Sequence, residues 1–327
     1  MMKSIVVSQF GQADQLKYED NELPQLKDNQ VQVKLAYAGI NPVETYIRTG
    51  EYAFKPDLPW TPGFDGAGVV EGVGANVTRF KEGDHVFVAA LNHNDNSGTY
   101  SEQVVVDEMC VEPLGEVAFD KGASLGLNAL TAYRATMTKG QVSKEDVVLI
   151  NGASGGVGMI ALQLAKIEGA TVIATASHED DQKRLLALGA DHVMDHLSNL
   201  TKDQVGQFKE EFKPTLIIET LANKNLELDL EVVKPHGRIV LIGSKGTIEV
   251  TPRFIMGKEL QVLGMGIWEA TKEEHRDSLS HLGKLLRTEK IDPIVGKVFD
   301  LKDASKAHQA IEEGKTKFGK TLLKIEN

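Results

Sequence analysis

The sequence predicts an α/β protein in two parts, a β-rich N-terminal half and a doubly wound half in which helices alternate with buried parallel strands. Three observations carry this. Residues up to about 120 fall into short, alternating apolar segments between Gly, Pro and Asp turns, as in Gln30-Val31-Gln32-Val33-Lys34-Leu35. From Ala123 onward leucine and alanine become frequent, and helix-length segments separate apolar runs. The run Val147-Val148-Leu149-Ile150 passes through Asn151-Gly152-Ala153-Ser154-Gly155-Gly156-Val157-Gly158 into an amphipathic continuation, which reads as a buried strand, a glycine turn and a helix start.

The elements follow in order. Gly63 to Val73, Gly83 to Val88 and Ser101 to Val106 continue the strand pattern and predict a partly open antiparallel barrel. In the second half, Thr171-Val172-Ile173-Ala174 follows a helix ending at Gly169 and completes a strand–helix–strand unit. Asp181 to Leu188 ends at a capping Gly189, and Val205, Phe208 and Phe212 share one helical face before the strand Leu216-Ile217-Ile218. Leu226 to Val233 leads through Pro235-His236-Gly237 into the strand Arg238 to Gly243. Leu260 to Met265 is expected at a sheet edge, where self-pairing would cover exposed backbone and give a homodimer. A helix from Lys272 to Leu286 precedes Ile294 to Phe299 and a last strand, Thr321 to Ile325, a tail expected to rejoin the first part. The expected domains are 1–124 and 125–265, with 266–327 returning to the first.

A chain of 327 residues has material for two cores. Its 36 lysines and arginines against 47 acidic residues give a formal charge of -11, which disfavours nucleic acid and anionic membrane. No apolar run is long enough for a signal peptide or a membrane span, so a cytoplasmic location is expected. The single cysteine, Cys110, excludes an intrachain disulfide and reads as a small core hydrophobe.

The glycine turn is where chemistry enters. Ala153-x-Gly155-x-x-Gly158 brings small residues to a helix start, so that the amides of Ser154, Gly155, Gly156 and Val157 can approach a pyrophosphate at the positive end of the helix. Sites for NAD place an acid about 20 residues past the turn, to bind the ribose hydroxyls. Here Thr175, Ala176 and Ser177 stand in that region. Their lack of charge leaves room for a 2′-phosphate that Lys183 or Arg184 would approach, which favours NADPH. The acidic run Glu179-Asp180-Asp181 keeps NADH as the alternative donor.

The order of these parts resembles the medium-chain dehydrogenase/reductase superfamily along essentially the whole chain. Gly39-Ile40-Asn41-Pro42-Val43-Glu44-Thr45-Tyr46-Ile47-Arg48, Gly50-Glu51-Tyr52 and Pro59-Trp60-Thr61-Pro62-Gly63 are similar to its zinc-free quinone oxidoreductases of the zeta-crystallin type. Ile218-Glu219-Thr220-Leu221-Ala222-Asn223-Lys224-Asn225 and Ile242-Gly243-Ser244-Lys245-Gly246-Thr247 match the same branch. The resemblance implies a GroES-like partly open barrel as catalytic domain and a Rossmann cofactor domain. Where zinc-dependent relatives carry a cysteine and a His-Glu pair, this chain has Asn41 and Phe64-Asp65, and one cysteine cannot build a structural zinc lobe, so no metal is expected. His93 reads as solvated.

By the same resemblance Ser177, His196 and Asn225 line the adenosine side, and Ile242, Gly243, Ser244 and Lys245 approach the nicotinamide. Asn41, Tyr46 and Tyr52 are the polar groups of an otherwise apolar acceptor slot beside it, with Thr131 as a further contact at the domain junction. A quinone needs positioning and hydrogen-bond donors for the charge that develops on its oxygens, which these side chains supply. The expected function is NADPH-dependent, zinc-independent quinone reduction. Reduction of an activated C=C bond in an enal or enone is the alternative, followed by a cofactor-binding structural or RNA-binding protein. The slot's dimensions depend on loops such as Leu91 to Gly98.

Overall fold

The computed structural model describes residues 1–89, 97–316 and 318–325. Seven strands open the chain: β1 (Met2–Val6), β2 (Lys17–Asn21), β3 (Gln30–Gly39), β4 (Asp65–Val73), β5 (His85–Ala89), β6 (Gln103–Asp107) and β7 (Val111–Pro113). Between β3 and β4 lies the helix α1 (Pro42–Thr49), and α2 (Phe119–Ala123) and α3 (Gly126–Tyr133) follow β7. Strands and turns are expected throughout this half, yet α1 is fully signalled in the sequence. Pro42 stands at the first helical position, Glu44 reaches back to the Asn41 N–H at 2.8 Å, and Gly50 stops the helix with a left-handed φ of 78°.

Parallel strands and crossover helices then alternate: β8 (Val147–Asn151), α4 (Gly156–Ile167), β9 (Thr171–Thr175), α5 (Glu179–Ala187), β10 (His192–Met194), α6 (Lys202–Phe212), β11 (Leu216–Glu219), α7 (Ala222–Val232), β12 (Arg238–Leu241), α8 (Pro252–Lys258) and β13 (Gln261–Gly264). The chain ends with α9 (Lys272–Arg287), β14 (Val295–Asp300), α10 (Ala304–Glu312) and β15 (Lys320–Lys324).

Two compact units result, one of residues 1–128 and 272–327, the other of 129–271. In the first, β1 and β2 form a small hairpin-like pair, and a seven-stranded sheet runs β14-β15-β3-β4-β5-β7, with β6 on β3. β15 pairs antiparallel with β3 through Leu322–Gly39 and Lys324–Tyr37, so the C-terminal tail completes the N-terminal sheet. The purely antiparallel expectation needs one correction. β14 and β15 run parallel, because α10 intervenes and carries the chain back to the same end.

The second unit is a six-stranded, all-parallel sheet in the order β10-β9-β8-β11-β12-β13. The order reverses direction at β8, the topological switch point where such sheets take ligands at the C-terminal ends of their strands. Its strands are apolar runs because both faces are covered. Leu149, Ile173, Ile217 and Ile239 each bring one strand to a core closed by Val205, Phe208, Leu230 and Val232 from the helices. No helix among the described residues is long and apolar enough to cross a membrane.

Candidate active site

In the parallel-sheet unit, the C-terminal strand ends gather most of the residues singled out in the sequence. β8 ends at Asn151. Gly152 then turns with φ +77°, a conformation that L side chains rarely adopt. A Cβ at Gly158 would lie 2.6 Å from Ala153 Cα, so this glycine lets α4 pack against the turn. Gly155 differs from both. It is exposed, its backbone is ordinary, and a Cβ there would meet only Gly152 O at 3.6 Å. Neither conformation nor internal packing demands glycine at this N-cap of a 12-residue helix. The open space in front of it is a cradle that a side chain would fill, which fits backbone approach of a pyrophosphate to Ser154, Gly155, Gly156 and Val157.

Thr175 at the end of β9 ties the turn to the next strand end. Its hydroxyl accepts from Gly152 N at 3.2 Å and meets His196 Nδ1 at 3.0 Å, while Ala153 N donates to Thr175 O at 3.1 Å. Ser177 is exposed just beyond, and His196 is half-buried after β10. Lys183 lies on the exposed side of α5 and pairs with Glu179 at 2.8 Å. Asp181, from the same acidic run, is buried. Asn225, on the first turn of α7, donates to Glu219 at 3.2 Å. Ile242 N donates to Glu219 O at 2.8 Å and Lys245 N to Asn223 Oδ1 at 2.8 Å, which fixes the Ile242-Gly243-Ser244-Lys245 segment after β12. Thr131 is buried in α3.

In the other unit, α1 holds the predicted acceptor-side groups. Tyr46 and Tyr52 are both half-buried, and the Tyr52 N–H donates to Tyr46 O at 3.2 Å, so the αL turn at Gly50 brings the two residues together. Asn41 is buried in a polar cluster. Its Nδ2 donates to Asp65 Oδ2 at 2.9 Å and to Glu44 Oε1 at 3.2 Å, and its Oδ1 accepts from Lys320 Nζ. Lys320 also meets Asp65 Oδ2 at 2.7 Å, and Asp65 Oδ1 caps α3 by accepting from Leu127 N at 2.6 Å. An ammonium thus sits between the Asn41 amide and the Asp65 carboxylate. Sequence reasoning had marked Asn41 and Asp65 but missed Lys320, which lies 255 residues from Asp65 and carries no local signal.

Glu44 is equally enclosed. Besides Asn41 it accepts from Phe64 N at 3.1 Å and from Tyr100 Oη at 2.5 Å. Burial, then the adjacent Asp65 charge, push its carboxyl up to about 7. Because the Tyr100 hydroxyl donates to Glu44, it accepts from His308 Nε2 at 3.0 Å, which assigns the ring proton to Nε2. Burial and then Arg48 push His308 down to about 3, so the ring is neutral. His93 and residues 91–96 of the expected acceptor loop lie outside the described residues. Among the described residues, no three His, Cys, Asp or Glu side chains are grouped to hold a metal ion.

A β-barrel-type unit completed by the C-terminal tail, with a parallel-sheet unit carrying a glycine turn, defines a medium-chain dehydrogenase/reductase. Residues 27–117 match the alcohol dehydrogenase GroES-like domain and residues 156–283 match the zinc-binding dehydrogenase family. The human quinone oxidoreductase is 39% identical over 325 residues, covering 99% of this chain and 98% of that protein. The quinone oxidoreductase of Pseudomonas syringae pv. tomato is 30% identical with a TM-score of 0.86, covering 99% of this chain and 100% of its own. The Escherichia coli quinone oxidoreductase complexed with NADPH is 27% identical with a TM-score of 0.86, covering 98% and 99%. The chain therefore belongs to the quinone oxidoreductase family of that superfamily, and it is an oxidoreductase.

Proposed function

We propose that the protein is an NADPH-dependent, zinc-independent quinone reductase. The observation that carries the cofactor half of this reading is the open cradle at Gly155, a glycine without another use at a helix N-terminus. NADPH, when bound there, supplies the reducing equivalents. The backbone amides of residues 154–157 hold its pyrophosphate, and Ser177 and His196 are offered to the adenosine end; the similar Escherichia coli protein is complexed with the same dinucleotide. Lys183 contributes charge near the 2′-phosphate after exchanging Glu179, an exposed partner that holds it weakly. Asn225 and the segment 242–245 complete the cofactor contacts, with Thr131 as a further one.

On the acceptor side, Tyr46 and Tyr52 donate hydrogen bonds to the quinone oxygens as negative charge builds there. Asn41 shapes that segment through its bonds to Lys320, Asp65 and Glu44. The zinc-independent half of the reading is supported by this donor set. The Asn41 amide and the Asp65 carboxylate are already matched to a buried ammonium, and a metal would have to displace Lys320 from both.

The test is anaerobic oxidation of NADPH against a panel of ortho- and para-quinones and enones, with NADH in parallel and with zinc added or chelated. Quinones should be consumed fastest, with NADPH preferred and no effect of chelation. Faster reduction of enones, or turnover that appears only with zinc, overturns the reading.

A further inference from the structure

Beneath the glycine turn, one buried carboxylate joins two segments that the proposed cofactor site uses, the strand end before the turn and the start of α7. Glu219, at the C-terminal end of β11, accepts from Asn151 Nδ2 at 2.6 Å, from the Leu221 backbone N–H and from Asn225 Nδ2 at 3.2 Å. Asn151 is the last residue of β8 before the turn, Leu221 precedes α7, and Asn225 lies in its first turn. Asp229, one helical turn beyond Asn225 and fully buried, accepts from the same Asn151 amide at 2.8 Å. Burial, then the charge of Glu219, hold Asp229 well above the ordinary carboxylate range, so it keeps its proton and donates it to Glu219. The Glu219 charge adds to the effect of burial, and the Asn151 amide opposes it.

Capping of α7 accounts for the Leu221 bond and for nothing else in this network. The two side-chain amides need a second explanation. With its NH₂ bound by Glu219, the planar Asn225 amide has its orientation fixed, and Oδ1 on the other branch is an acceptor held in place before a ligand arrives. We propose that Glu219, with Asp229 as its hydrogen-bond partner, is the positioning residue of the NADPH site, fixing Asn225 to accept from a nucleotide hydroxyl or amine and anchoring the strand end that launches the glycine turn. This rests on the cofactor reading given above.

Fluorescence titration of the full-length protein with NADPH tests it without reference to turnover. Glu219→Gln should weaken NADPH binding about tenfold, the equivalent of one charge-assisted hydrogen bond. Asn225→Ala should weaken it similarly, and the double variant should fall short of the product of the two losses, because Glu219 acts through Asn225. Wild-type affinity should decline at alkaline pH as Asp229 ionises beside Glu219, and Asp229→Asn, which keeps a donor without an ionisable proton, should abolish that decline. Wild-type affinity in Glu219→Gln, fully multiplicative losses, or an unchanged alkaline limb in Asp229→Asn each overturn the proposal, and the last decides it even where Glu219→Gln fails to fold. Gly155→Val separates the two levels of argument. If it binds NADPH as the wild type does, the cofactor reading has failed; if it loses NADPH while Glu219→Gln does not, only the positioning role has.

Discussion

Tyr52 carries the sharpest prediction at the scale of the residue, because its phenol is assigned to the acceptor and not to the dinucleotide. Tyr52→Phe removes one hydroxyl and leaves the ring and the backbone bond to Tyr46 in place. Losing one preorganised donor should lower quinone kcat/KM by about tenfold or more while NADPH affinity stays within twofold of wild type. Steady-state kinetics beside NADPH titration checks both numbers, and unchanged turnover removes Tyr52 from the site. Gly155→Val is its mirror, expected to abolish NADPH binding in calorimetry because the side chain fills the cradle. The glycine turn was legible in the sequence because its chemistry is local, set by spacing within a dozen residues, whereas Tyr46 and Tyr52 stand out only through the family resemblance. Lys320, Glu219 and Asp229 were not legible. Each has its meaning through partners far along the chain, as in Lys320 with Asn41 across 279 positions, or through burial that single residue types do not announce. Lys183 marks the opposite case, where the sequence showed a cation but not that Glu179, four residues earlier on the helix, engages it.

Single elements are fixed by the same polar clusters. Asp65 at once caps α3, pairs with Lys320 on β15 and binds Asn41 ahead of α1, so three elements meet on one buried carboxylate. Lys320→Met would leave that charge without its cation, a change that costs about 3–5 kcal/mol when one partner of a buried pair is removed. Urea unfolding should show a midpoint loss of that size, and a loss under 1 kcal/mol would mean that solvent reaches the pair. Around Tyr100 two titrations oppose each other. Glu44, raised from 4.5 to about 7, binds more protons in the folded state, so its contribution is complete at low pH and is lost as pH rises through about 7. His308, lowered from 6.5 to about 3, binds fewer, so its contribution is complete above 6.5 and is lost as pH falls through about 3. Between 4.5 and 6.5 the two slopes have opposite sign, each at most about 1.4 kcal/mol per pH unit. His308→Gln should therefore leave Glu44 unopposed, and the stability advantage of wild type over this variant should grow as pH rises from 4.5 to 6.5. Urea midpoints at three pH values suffice, and a constant or shrinking advantage contradicts the burial of His308. Helix α1 belongs to this scale too, for its Asn-Pro start, Glu44 and Gly50 all stand in the sequence, but eight residues between β-rich segments carry only a short helical period.

For the molecule as a whole, the division into a sheet completed by its own tail and an all-parallel sheet was readable because apolar runs with intervening helices admit few topologies. Tail placement was harder, since β14 and β15 are short, and only the pairing of β15 with β3 decides which sheet receives them. The parallel sheet ends in β10 on one side and β13 on the other. Among the described residues β13 pairs with β12 alone. Gln261 N and Met265 N donate inward to Gly237 O and Leu241 O, so by the two-residue period of a strand the N–H groups of Val262 and Gly264 point outward. Val262 and Leu263 are half-buried there, and Met256 on the preceding helix is 77% exposed. A short, uncharged strand without proline or a bulge is an edge that invites pairing, and a second copy related by a twofold axis would offer the same row of donors and acceptors antiparallel to it. We expect the protein to be a homodimer joined through this edge. Val262→Pro deletes an outward N–H while sparing the inward ladder, so it should convert the dimer to a monomer in sedimentation velocity without loosening the folded subunit. Since Val262 lies on the edge strand β13 and is not among the residues assigned to the dinucleotide, NADPH affinity should persist in the monomer. A wild type that sediments as a monomer, or a proline variant that remains a dimer, places the association of subunits elsewhere on the surface.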